Sequence, residues 1–147
     1  MYSCVLLIHV LAATVWTGGH LVLATTVLPR ALAARDPRIL LDFESGYERI
    51  GMPALVLQVL TGLWMAHAML PDVAAWFALD TPQSRLIAFK LALLAITVLA
   101  ALDARLRIIP RLSAATLPAM ARRIVLVTVV SVLFVVVGVS FRGGLLA

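Results

Sequence analysis

Four apolar stretches, each about as long as a bilayer is thick, constrain this chain more than any other feature. With charges and prolines taken as punctuation, they run from Val5 to Leu28, Gly51 to Leu70, Leu86 to Leu102 and Ile124 to Phe141. Each approaches the ~20 residues an α-helix needs to cross ~30 Å of hydrocarbon. A spanning segment must satisfy its own backbone polar groups, and no alternation of period two supports a barrel. The expected fold is all-α: a polytopic membrane protein, one antiparallel four-transmembrane-helix bundle over residues 1–147. Composition agrees, since 63% of the 147 residues are hydrophobic and 13% charged, where a soluble domain carries about a quarter charged. A soluble chain of this length has too small a core to hide that much apolar surface.

The connections carry the breaks. Pro29 is expected to close the first span, and Asp36-Pro37 to break the connection that follows. Beyond it Ile39, Leu40, Phe43 and Tyr47 form an amphipathic stretch suited to the membrane interface. Pro71 and Pro82 bracket the second connection, where Trp76 and Phe77 read as interfacial aromatics. Pro110 and Pro118 interrupt the third. The start, Met1-Tyr2-Ser3-Cys4, lacks the basic region of a signal peptide, so the first apolar stretch is expected to be retained as a span. Cys4 is the single cysteine, which leaves no intrachain disulfide and no cysteine-based metal motif.

The formal net charge is +5, yet the basic residues do not form a nucleic-acid surface. Arg30, Arg35, Arg38 and Arg49 lie in the first connection, and Arg105, Arg107, Arg111, Arg122 and Arg123 in the third. The second holds Arg85, and Arg142 stands near the C-terminus. Such asymmetry is a topology signal: connections one and three are expected on the cytoplasmic side of a bacterial inner membrane, with both termini periplasmic.

Ionisable groups within spans are costly and face the interior, so each one is a candidate for function. His9, His67 and Lys90 fall at one depth toward the outer side, with Arg85 and Arg142 in the same layer, whereas His20 lies deeper. On the first span His9, Ala12, Ala13, Trp16, Gly19 and His20 share a face by their spacing. The fourth span repeats the pattern with Thr128, Ser131, Val135, Gly138 and Arg142, and the third places Lys90 and Thr97 together. On the second span Gln58, Thr61 and Met65 share a face, with His67 almost opposite Gln58.

Nitrogen donors at one level, small residues beside them and cations near the surface are what a b-type heme requires. His9 with Lys90 or His67 would ligate the iron, Arg85 and Arg142 would meet the propionates, and Trp16 and Gly19 would shape the slot. Copper is the competing answer: Cu(I) favours sulfur with imidazole, and His9, His20, His67, Met65, Met69 and Cys4 offer those donors. The bland reading keeps each as a structural residue: histidines satisfied by hydrogen bonds, Lys90 snorkelling, the methionines filling space and the arginines anchoring the interface. No phosphate loop, HExxH motif or intramembrane carboxylate pair is present, which leaves hydrolysis and carboxylate-based proton pumping without support.

The stretch from His9 through Trp16 to Gly18-Gly19, followed by Leu28-Pro29, resembles the first helix of the CopD-like copper resistance membrane domain. So do Phe43 to Tyr47-Glu48-Arg49 running into Leu60-Thr61-Gly62-Leu63, and Thr81-Pro82-Gln83-Ser84-Arg85 running to Lys90 and Pro110-Arg111-Leu112. The resemblance implies a role in copper import or tolerance. Larger members carry eight spans where this chain supplies a four-span unit. A more distant resemblance, to the HemJ-type protoporphyrinogen oxidase that binds heme b, rests on His9 and Lys90, with Phe89 where that family usually has a histidine.

The resulting expectation is an oligomeric CopD-like protein holding heme b near its outer face and working in one-electron redox, compatible with a membrane oxidoreductase. The alternatives are copper binding and transport, HemJ-type porphyrinogen oxidation, and a cofactor-free assembly subunit. Expected partners are the lipid bilayer, further copies of the chain, and a quinone, a porphyrin or a periplasmic redox or copper partner, with no nucleic acid.

Overall fold

The computed structural model describes residues 1–143. It contains α1 (Tyr2–Val22), a π turn (Leu23–Val27), α2 (Leu28–Ala34), α3 (Arg38–Met69), a 3-10 turn (Ala74–Phe77), α4 (Pro82–Asp103), a second π turn (Ala104–Ile108), a 3-10 turn (Ile109–Arg111) and α5 (Leu117–Gly143). Taken with their continuations, four helical rods among the described residues are long and apolar enough to cross a membrane: Tyr2–Ala34, Arg38–Met69, Pro82–Arg111 and Leu117–Gly143. The chain is an all-α, polytopic four-helix bundle.

All four rods outrun the apolar stretches that mark them, and each extension has a local cause. Pro29 does not close the first rod. A proline lacks the N–H and crowds the carbonyl four residues back, but the π turn just before it widens the helix, with the Leu28 N–H reaching Leu23 O, and absorbs the misfit. The rod ends at Ala34 instead. Arg35 adopts φ 52°, and the Asp36 and Arg35 N–H groups donate to Ala31 O and Leu32 O at 3.1 and 3.3 Å, a Schellman closure.

The amphipathic stretch Ile39 to Tyr47 is not a separate interfacial element. It is the first third of α3, continuous with the second span. Its apolar face has a protein partner: Leu40 is buried in a cluster with Val27, Leu28, Ala31, Leu117, Met120 and Ile124, and Ile39 and Phe43 pack on the same cluster. Pro82 opens α4 at a position where no N–H is needed, behind a Thr81–Ser84 capping box with both bonds at 3.1 Å. Pro110 sits within the helical continuation of α4, and Pro118 in the first turn of α5. Trp76 is buried rather than interfacial, because its indole N–H donates to Leu70 O at 2.8 Å and pins the connection; Phe77 is exposed.

α3 packs along α1, α1 against α5, and α5 against α4, so the order round the bundle is α3, α1, α5, α4. At mid-height Trp16, Leu55, Ala100 and Val127 bring all four rods together. One end carries the nine arginines of connections one and three. There Glu48 holds Arg105 at 2.6 Å, and Asp103 holds Arg123 at 2.7 Å and Arg107 at 3.5 Å. In the arginine-poor half Leu86, Leu93, Val130 and Val137 weld α4 to α5. Polar side chains lie where α1 and α3 face that pair.

Candidate functional site

The stripe expected along α1 is real: Ala12, Trp16 and His20 are buried, and His9 is half-buried one turn or two from the arginine-poor end. On α5, Thr128 and Ser131 are buried as expected, but Val135 is exposed, and Val137 and Ser140 take the interior positions. On α4, Thr97 is buried and Lys90 half-buried. The polar residues form two levels separated by about 16 Å along α1, from the helical rise between His9 and His20.

At the first level His9 Nδ1 lies 2.8 Å from Thr61 Oγ1 of α3. Gly62, the next residue, leaves room for the imidazole: a Cβ there would meet His9 Cε1 at 3.2 Å. Lys90 enters from α4. Its Nζ lies 5.4 Å from the centroid of the Phe141 ring and would stand 3.5 Å from a Cβ at Gly138. Among the described residues no acceptor hydrogen-bonds it. One turn from Thr61, Gln58 Oε1 is buried without a hydrogen-bond partner among the described residues. An ionisable group within a span is costly, and a buried acceptor left unpaired costs about 1–3 kcal/mol, so Lys90 and Gln58 are both candidates for function.

At the second level the His20 ring stacks at 4.4 Å on Trp16 and meets Tyr47 edge-on at 6.0 Å. Its Nδ1 lies 2.9 Å from Trp16 O, and Thr128 Oγ1 donates to His20 O at 3.2 Å. Tyr47 donates its hydroxyl to Val15 O and Trp16 O, both at 3.1 Å. This level is closed by its own hydrogen bonds. Gly19 here makes space for the Tyr47 ring, whose atoms a Cβ would overlap.

The remaining candidates do not join either level. His67, Met69, Arg85, Arg142 and Cys4 are all exposed. His67, in the last turn of α3, projects away from the His9 side, as its offset from Gln58 suggests. Among the described residues no group of three or more His, Cys, Asp or Glu gathers. Two participants were not anticipated from sequence. Thr61 was read only as part of a polar face, and Tyr47 as interfacial; glycines 19 and 51 flanking one aromatic ring were the available signal.

The fold and the first-level site define a polytopic membrane bundle with a histidine and a lysine inside the arginine-poor half of its spans. A family model described as Copper resistance protein D matches residues 41–141, about two thirds of the chain, and the chain belongs to that family. The matched range holds Thr61, Gly62, Lys90 and Gly138, while α1 with His9 precedes it. No curated protein and no solved structure matches.

Proposed function

We propose that this membrane protein of a copper resistance family binds a b-type heme in its arginine-poor half, with His9 and Lys90 as the residues that hold the iron, and that it serves one-electron redox. The observation that carries the reading is that His9, anchored on Thr61 beside Gly62, and Lys90, beside Gly138 and without a hydrogen-bond partner among the described residues, lie in the same half of the bundle. Nitrogen donors suit heme iron, and the glycines give the His9 ring room against α3 and the Lys90 Nζ room against α5. Heme would supply reversible one-electron chemistry. The chain's own residues would orient the imidazole through Thr61 and hold the Lys90 side chain beside the Phe141 face, from which its nitrogen could meet iron as the neutral amine, while Leu86, Leu93 and Val137 pack α4 against α5. Arg85 and Arg142, exposed at the same end, would meet the heme carboxylates. By the arginine asymmetry that end is periplasmic, in a bacterial inner membrane, where a quinone in the lipid or a periplasmic carrier would exchange electrons. The test is the visible spectrum of protein purified in detergent after expression with ample heme.

The family match favours a second reading, in which copper is cargo. Its donors would be His9 with the exposed His67 and Met69 at the same end. Copper retained on purification, and lost when His67 and Met69 are replaced, would support it over heme. Porphyrinogen oxidation would be an enzymatic variant of the heme reading, supported by His9 and Lys90 alone.

A further inference from the structure

Thr61 has one hydroxyl proton and three neighbouring atoms that could accept it. Its Oγ1 lies 2.6 Å from Leu57 O and 3.3 Å from Gln58 O, as well as 2.8 Å from His9 Nδ1. A carbonyl oxygen cannot donate, so an O···O distance of 2.6 Å requires the hydroxyl proton to point at Leu57. The Thr61 oxygen is then left as an acceptor toward His9, and Nδ1 must carry a proton. In a neutral imidazole that leaves Nε2 as a bare lone pair.

We propose that Thr61 is a positioning residue that fixes His9 as the Nδ1–H tautomer and so leaves Nε2 as the free donor atom of the ring. Its functional meaning rests on the heme reading above; the tautomer itself does not. Thr61 owes its orientation to its place in α3, where a threonine hydroxyl bonds back to the carbonyl four residues earlier. The helix backbone thus sets the direction of the hydroxyl, and the hydroxyl sets the tautomer. Gly62 completes the arrangement by letting the Cε1–Nδ1 edge of the ring come close to α3. An anchor on the second ring nitrogen is what a metal-binding histidine requires, and its loss typically costs 10- to 100-fold in affinity. His20 provides a built-in reference. Its Nδ1 faces the Trp16 carbonyl at 2.9 Å, a main-chain acceptor that no side-chain replacement removes.

The deciding experiment is 15N NMR of histidine-labelled protein in lipid without added cofactor, with His9 and His20 assigned through H9Q and H20Q. The expected result is a protonated Nδ1 and an unprotonated Nε2 at His9 in the native chain and in T61S, which keeps the hydroxyl, and loss of that pattern in T61V. The His20 resonances remain unchanged throughout and report that the bundle is folded. A His9 protonated at Nε2 in the native chain, or an unaltered His9 in T61V with His20 intact, overturns the proposal. In heme-loaded protein T61V lowers heme affinity by roughly 10- to 100-fold with T61S near native. Absence of heme binding by the native chain, with the tautomer pattern present, would remove the heme reading and leave the Thr61 assignment standing.

Discussion

The ring of Tyr47, from α3, occupies the volume that any side chain at Gly19 of α1 would need. Gly51, one turn further along α3, is flush against the other edge of the same ring, where an added Cβ would meet Tyr47 Cε1 at 2.7 Å. The hydroxyl ends on two main-chain carbonyls of α1, so both ends of the residue fix the distance between α1 and α3.

Gly19→Ala should therefore destabilise the protein by about 1–3 kcal/mol, the usual cost of overpacking. Gly18→Ala meets nothing within 4 Å, so it should be neutral or slightly stabilising, because alanine is the better helix former. Thermal unfolding of the two variants in one detergent checks the contrast. Equal effects would mean that Tyr47 does not sit in the α1–α3 contact.

Asp103 ties α4 to α5 through Arg123 and also holds Arg107. These groups are partly exposed, so Asp103→Asn should cost no more than about 1 kcal/mol, with the loss shrinking as salt is raised. A larger and salt-independent loss would indicate burial of this end within an assembly.

Orientation can be read from the single cysteine. Cys4 is exposed at the start of α1, at the arginine-poor end. With that end periplasmic, a membrane-impermeant maleimide should label Cys4 in intact spheroplasts as fully as in lysed ones. Labelling only after lysis would reverse the topology.

Much of the fold was legible because crossing hydrocarbon leaves one backbone solution. The four stretches, their order and the inward stripe of α1 follow from length and spacing. The ends of the rods were not legible, since hydropathy marks what lipid covers and not where hydrogen bonding stops. Pro29 illustrates the point: its meaning depends on a π turn that the sequence does not announce. At the site, the common level of His9 and Lys90 could be counted along the helices. The separation of His67 followed from its angle on α3. The Thr61 bond could not be foreseen, because it depends on the register of α1 against α3. That register is set by a tyrosine lodged between two glycines.

Whether His9 and Lys90 hold a b-type heme is decided by the visible spectrum of the purified protein and three variants. A Soret band is expected in the native chain, lost in His9→Ala, weakened or shifted in Lys90→Met, and retained in His67→Ala. A native protein without a Soret band after expression with ample heme, or a band indifferent to His9→Ala, would contradict the heme reading.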